Sequence, residues 1–196
     1  MTYNGNGEMT GPVITSSLVD NLGYGYIGIN ASTGEDPASD ASKNLRRGLA
    51  TVLAVYRDVA IDSYYGEGAS VINYPISNTS WAAPQPTDEG YQVAFSVDVN
   101  GEPIYTAEMT PEERYAAAEQ AALGFFEAAG FEVADGKLTA APDGAKLSYE
   151  LIVPGGGTGD HPAFAIITGA KDSLEKIGME LKINDPSDTN ILWDAL

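Results

Sequence analysis

Cysteine is absent from the 196 residues, which excludes disulfides, thiolate metal ligands and a cysteine nucleophile. Basic residues are nearly as scarce: ten lysines and arginines stand against 28 acids, for a net charge of −18. A surface that acidic disfavours nucleic acid and anionic membranes as partners. Histidine occurs once, at His161, and no G-x-S-x-G elbow accompanies it, so a serine-hydrolase triad has no support. A surface histidine is the simpler account. No apolar run approaches the ~20 residues of a membrane span. The opening Met1–Gly5 is polar and uncharged and does not read as a secretory leader.

What remains is the composition of a globular protein, 43% apolar and 19% charged, long enough to bury a sizeable core. Residues 1–196 are expected to form a single domain, with 1–12 a loose lead-in and a short helix over 13–22 around Leu18 and Val19. The stretch Ser42–Ser63 organises the rest. Leu45, Leu49, Val52, Leu53, Tyr56, Val59 and Ala60 recur in steps of three and four, which makes one helical face, with Ser42 as its cap. Lys43, Arg46, Arg47 and Arg57 supply four of the ten bases and are expected on the solvated outer rim.

Ahead of that helix, Gly23–Asn30 alternates glycine with aromatic and β-branched residues, the pattern of a buried strand. The stretch 31–40 is loop-forming. Beyond the helix, 64–86 is rich in aromatics and proline without a regular period, and Val71–Ile76 is expected to be briefly extended. Trp81 sits in this loop context, where a large aromatic plugs the core more often than it lines a pocket. Val93, Phe95 and Val97 alternate ahead of Asn100-Gly101, so Tyr91–Tyr105 reads as a hairpin.

Thr110–Gly130 carries the clearest helix signal. Thr110 and Glu113 form a capping box around Pro111, and Tyr115, Ala118, Ala122, Phe125, Phe126 and Ala129 form the apolar stripe. Asp135-Gly136 and Asp143-Gly144 are turn signals about one short hairpin apart. Leu147, Tyr149, Leu151 and Val153 then alternate as a strand. A helix capped by Asp160 runs through Phe164, Ile167, Leu174 and Ile177, and Met179, Leu181 and Ile183 form a second strand. Strand, helix, strand with short links predicts a parallel βαβ unit. The last segment, from Asp185, opens an amphipathic helix that reaches Leu196 without a stop, which reads as a chain cut within its domain. The fold class expected is α/β, a mixed sheet of Tyr24–Asn30, Lys146–Val153 and Met179–Asn184 flanked by helices.

The glycine run Gly155–Gly159 invites a phosphate-binding reading. It lacks the lysine of a P-loop, has the wrong spacing for a dinucleotide fingerprint, and is followed by a negative charge at Asp160. Asp185–Asn190 is acidic but lacks the glycine and ligand spacing of a calcium loop. The 28 acids offer carboxylate pairs everywhere, and nothing singles one out for glycosidase work. No enzyme motif, cofactor or metal site is expected.

The ordered pieces nevertheless match a pattern. Tyr26-Ile27-Gly28-Ile29-Asn30, then Leu45-Arg46-Arg47-Gly48-Leu49-Ala50 and Ala60-Ile61-Asp62, resembles the solute-binding proteins of peptide-type ABC importers, the oligopeptide, dipeptide and nickel family. Phe125–Phe131 with Asp135-Gly136-Lys137, and Ile177–Leu181, are similar to two later landmarks of that family. The chain departs from it at Ser63, where a basic residue is usual, in apparent insertions over 31–40 and 91–105, and in lacking the aromatic tract after the last strand.

The resemblance implies most of the second large lobe of a two-lobed (type II) periplasmic-binding-protein-like receptor. Such a receptor is extracytoplasmic, monomeric and often a lipoprotein; it takes a peptide or other small-molecule ligand and hands it to a membrane permease. The alternative is a domain of an extracellular hydrolase or adhesin. In the receptor reading the ligand-binding candidates are Asn30, with a donor and an acceptor for a peptide backbone, and Tyr74 and Trp81, with flat apolar area.

Overall fold

The computed structural model describes residues 2–3, 6, 9–11, 14–15, 19, 21, 23–31 and 36–195. Within them the chain is mixed α/β, with small separate sheets and helices packed around one apolar core. The expected single mixed sheet is not formed.

β1 (Thr2–Tyr3), β2 (Met9–Gly11) and β3 (Ile14–Thr15) pair as a small antiparallel sheet. Most of the helix expected over 13–22, Leu18 included, lies outside the described residues, and Val19 is irregular and exposed. Gly23–Asn30 is the larger correction: it forms no strand, and Tyr26 is 80% exposed. Gly23 and Gly25 on one face and Gly28 on the other leave the segment few side chains to pack, which weakens any strand built from it.

α1 (Asp40–Ala54) begins one turn before the expected cap. Ser39, not Ser42, is the N-cap, and its hydroxyl accepts the Ser42 amide at 3.1 Å. The helix then breaks at Val55–Tyr56 and resumes as α2 (Arg57–Ala60), followed by a wide π-type turn over Ile61–Tyr65. Tertiary contacts explain the break. The Tyr56 ring stacks on Tyr115 at 4.4 Å between centroids, and its hydroxyl lies 2.8 Å from Ser173 Oγ. Arg57 Nε donates to the Ala54 carbonyl that the break leaves over.

Over Tyr64–Tyr105 the chain makes no regular strand, and Val71–Ile76 is bent instead of extended. The expected hairpin at Tyr91–Tyr105 shrinks to one bridge, Val97 to Pro103. Pro103 has no N–H to extend the ladder. The turn itself holds: the Asp98 carboxylate accepts the amides of Asn100 at 2.8 Å and Glu102 at 2.9 Å.

α3 (Pro111–Ala128) forms with its capping box intact. β4 (Glu132–Ala134) and β5 (Lys137–Ala140) close the hairpin around Asp135-Gly136. β6 (Ser148–Ile152), α4 (Ala163–Lys176) and β7 (Glu180–Asn184) form the βαβ unit, with β6 and β7 parallel and Tyr149 opposite Leu181. Asp160 does not cap α4; Pro162 holds that place, and His161 Nδ1 accepts the Ala163 amide at 3.2 Å. α5 (Asn190–Asp194) is one short helical turn, exposed at Trp193.

The core forms where α1, α3, α4 and the two later sheets meet, around Val52, Phe126, Leu174 and Met179. Two helical glycines set the spacing. A Cβ on Gly48 of α1 would stand 2.6 Å from the Phe126 ring, and a Cβ on Gly169 of α4 would stand 2.6 Å from the Tyr56 ring. The rings lie directly against backbone. One polar chain crosses this core. Burial pushes the Tyr56 hydroxyl's pKa up, so it stays protonated. Ser173 Oγ donates to Glu119 Oε1 at 2.7 Å, because a carboxylate only accepts. Tyr56 must therefore donate to Ser173. Lys176 Nζ reaches both Glu119 oxygens from the surface.

These contacts predict two stability results. Gly48→Ala should destabilise the fold by about 1–3 kcal/mol through overpacking, and Phe126→Ala by about 3–5 kcal/mol through a cavity. Leu53→Ala should cost less than Phe126→Ala, since Leu53 only packs against the core from its edge. Urea unfolding of the three variants measures the order, and parental stability in Gly48→Ala would show that the close approach is relaxed in solution. Glu119→Ala should cost about 1–3 kcal/mol, because it leaves the buried Ser173 hydroxyl without an acceptor. Lys176 is 67% exposed at its side chain, so its ion pair adds little to that loss. Lys176→Ala should then fall well short of Glu119→Ala in the same urea series.

Candidate functional site

None of the residues expected to bind ligand lines the two best-formed concavities among the described residues. Asn30 lies on the exposed, irregular Tyr24–Asn30 segment. Trp81 is 97% exposed, so it neither plugs the core nor lines a pocket. Tyr74 serves its own loop: its ring packs against Tyr91 with centroids 5.6 Å apart, and its hydroxyl accepts the Gln92 amide at 3.2 Å.

The best-formed concavity is built around Arg57, which the sequence reading placed on the solvated rim. The break after α1 turns Arg57 inward, beneath the two loops that carry Ile72-Asn73 and Ala94-Phe95. Its guanidinium donates to Ile72 O at 3.0 Å, Asn73 Oδ1 at 3.3 Å and Ala94 O at 3.3 Å, in addition to Ala54 O. All four acceptors are neutral. Desolvation lowers the Arg57 pKa from the usual arginine range, with Asp58 opposing the shift. No carboxylate lies within ion-pair distance of this arginine among the described residues.

Asn73 joins the two loops. Its Oδ1 also accepts the Ala94 amide at 3.0 Å, and its Nδ2 donates to the Tyr91 hydroxyl at 2.9 Å. The next residue, Phe95, holds a φ of 59°, a left-handed conformation costly for a bulky side chain. Arg57 and Asn73 grip its neighbour Ala94 from both sides, which holds the strained residue in place.

The cleft above this clamp encloses about 190 Å³. Val71, Val93 and Phe95 give it an apolar side; Arg114 and Tyr105 form the other. Arg114 lies over the Tyr105 ring, 5.1 Å from its centroid. The Tyr105 hydroxyl is closed off from solvent and has no hydrogen-bond partner among the described residues. Burial raises its pKa while the Arg114 and Arg57 charges act in the opposite direction, so both cations are felt at that oxygen. Asp58 lines the rim. Chemically, this is a place for a small anion with an apolar attachment.

Sequence reasoning missed Arg57, Asn73, Tyr105 and Arg114. A usable signal was present in one case. In a chain with ten bases, an arginine directly after the core residue Tyr56 is a poor fit to a solvated rim.

The glycine loop supplies a contrast. Its anion position is filled by the chain's own Asp185, whose Oδ2 accepts the Gly159 amide at 2.9 Å. A Cβ on Gly155 would stand 2.8 Å from Asp185 Oδ1. Phosphate therefore has no room there.

Against known proteins, no family model matches the chain, and no curated protein or solved structure matches it. The cleft and the resemblance in sequence carry the functional argument.

The Asp185 contact makes a pH prediction. The Gly159 amide holds its pKa below the ordinary aspartate value, burial opposing. A carboxylate depressed in the folded state stabilises it above the unfolded pKa, and that stabilisation is lost as pH falls through the folded value. Amide exchange at Gly159 should accelerate relative to the α4 core only in acid, below the ordinary aspartate range, after correction for intrinsic exchange. Asp185→Asn should show the faster exchange at neutral pH. Equal protection in parent and variant at neutral pH would remove Asp185 from the loop's support.

Proposed function

We propose that this chain is a ligand-binding lobe of an extracytoplasmic solute receptor of the peptide-importer type, which captures a peptide or similar small solute for a membrane permease. The observation that carries the reading is the convergence of its sequence landmarks. Gly48, in the first, receives the ring of Phe126, in the second, where an added Cβ would stand 2.6 Å from the ring. Phe131 packs on Phe126 at 5.7 Å between centroids, and Met179 and Leu181, from the last landmark, are buried in the same cluster. The landmark segments around Gly48, Phe126 and Met179 thus pack into one framework, while Tyr26–Asn30 stays exposed outside it.

The arrangement of the rest is consistent with a receptor. A framework of helices and a parallel strand pair carries long aromatic loops, and such loops on a rigid scaffold are where binding residues concentrate. Trp81 is the aromatic most available to a partner, and with Asn30 and Tyr74 it remains the proposed contact set on the loop side. Because Trp81 is 97% exposed, its removal takes nothing from the core and tests the ligand role cleanly.

In a receptor carrying this chain, Trp81→Ala should weaken affinity for a cognate peptide by at least about tenfold, roughly 1.4 kcal/mol, with the ligand-free melting temperature unchanged. Calorimetry with a peptide that raises the parent's melting temperature measures it. An unchanged dissociation constant would take Trp81 out of the site. If no peptide from a mixed-length library raised the parent's melting temperature, the receptor reading itself would fall.

A further inference from the structure

We propose that the cleft between Arg57, Arg114 and Tyr105 is a carboxylate subsite, taking the terminal carboxylate of a peptide or of a small N-acylated amino acid. The inference deepens the receptor reading and rests on it for the ligand's peptide character, but not for its charge.

Four observations point to a single negative charge. First, ion pairing in this chain is done by lysines: Lys43, Lys171, Lys176 and Lys182 make the four pairs among the described residues, and no arginine takes part. Arg46 and Arg47 share this elsewhere, on α1, so what marks the cleft is that it brings two such arginines, Arg57 and Arg114, to one place. Second, the bonds from Arg57 use its Nε proton, both Nη2 protons and one Nη1 proton, leaving one Nη1 proton over. The clamp fixes the charge in place and neutralises none of it. Third, Tyr105 holds an enclosed hydroxyl without a partner, a donor that a carboxylate oxygen would satisfy once the exposed Arg114 side chain moves off the ring. Fourth, Asp58 on the rim opposes a doubly charged anion such as phosphate more than a singly charged carboxylate.

Size and polarity narrow the ligand further. At about 190 Å³ the cleft is below the ~300 Å³ where pockets for whole drug-sized ligands begin, so it fits a terminal group. Val71, Val93 and Phe95 place apolar surface next to the charge. A C-terminal residue with an aliphatic side chain meets both demands. Arg114, with a planar fork of donors and no helix-face partner, is the group free to make the bidentate contact.

The test is calorimetric titration of the chain with N-acetyl-leucine, N-acetyl-leucinamide, an acetylated tripeptide ending in leucine, its C-terminal amide, and inorganic phosphate. The two acids should bind, and each amide should bind at least about tenfold more weakly. Arg114→Gln should lose a similar factor with an unchanged melting temperature, since Arg114 is exposed. Tyr105→Phe should lose a few-fold. Arg57 is left intact, because its removal would release the loops that form the cleft.

Equal binding of tripeptide acid and amide would overturn the carboxylate subsite while leaving the peptide-receptor reading standing. Binding of N-acetyl-leucine alone, with no affinity for either tripeptide, would support the subsite and count against the receptor reading. Phosphate binding as tightly as the acids, full affinity in Arg114→Gln, or no binding of either acid at millimolar concentration would each overturn the proposal.

Discussion

Everything in the folded part depends on two aromatic rings lying against helix backbone. Phe126 of α3 occupies the space where Gly48 of α1 has no side chain, and Tyr56 does the same at Gly169 of α4. Interiors are packed densely enough that even one added methyl is felt, so these two contacts fix how closely the three helices approach. They also fix the break in the first helix. Tyr56 can stack on Tyr115 and reach Ser173 only if the helix turns at Val55–Tyr56. Once it turns, the next residue, Arg57, no longer follows the α1 spiral and faces the loops. Packing of two rings thus determines the position of the charge that shapes the cleft.

The Arg57 clamp solves a problem that secondary structure does not. From Tyr64 to Tyr105 the chain has hardly any ladder to satisfy its backbone groups, and orphaned backbone polar groups are costly when buried. Side chains take over. Arg57 donates to the carbonyls of Ile72 and Ala94, Asn73 Oδ1 accepts the Ala94 amide, and the Tyr74 hydroxyl accepts the Gln92 amide. Held this way, the loops form one wall of a cleft whose other wall is Arg114 and Tyr105. A charged residue is suited to the task because hydrogen bonds from a guanidinium are roughly twice as strong as neutral ones. The consequence is a cation without a counterion.

What was legible in the sequence was whatever short-range chemistry decides. The Thr110–Glu113 capping box, the Asp135-Gly136 hairpin and the parallel strands flanking α4 all formed, because each rests on neighbours in the chain or on a strong period. The failures share the opposite cause. Gly23–Asn30 has strand-like alternation, yet three of its eight positions are glycine and no partner strand exists for it among the described residues. The hairpin at Asn100-Gly101 kept its turn and lost its ladder at Pro103. The break at Tyr56 follows from Ser173, 117 residues away, and periodicity within the helix holds no trace of that. The site was the least legible part. Arg57 binds backbone carbonyls, which every residue has, so no side-chain pattern announces the partnership.

The two candidate anion sites show how this chain treats negative charge. In the glycine loop the donors converge and the chain fills the position itself with Asp185. At the Arg57 cleft the donors converge and no acid among the described residues approaches within ion-pair distance, although Asp58 stands on the rim. With 28 acids available and ten bases to pair, an unmatched arginine is not a matter of short supply. It follows from geometry: the Arg57 guanidinium is taken up by carbonyls on the loops above it, while Asp58, next to it in sequence, stays on the exposed rim of the same cleft beyond ion-pair distance. The glycine loop thus has its anion built in, and the arginine cleft has its place for one open. That difference, more than the glycine-rich signature, is what separates the structural loop from the candidate site.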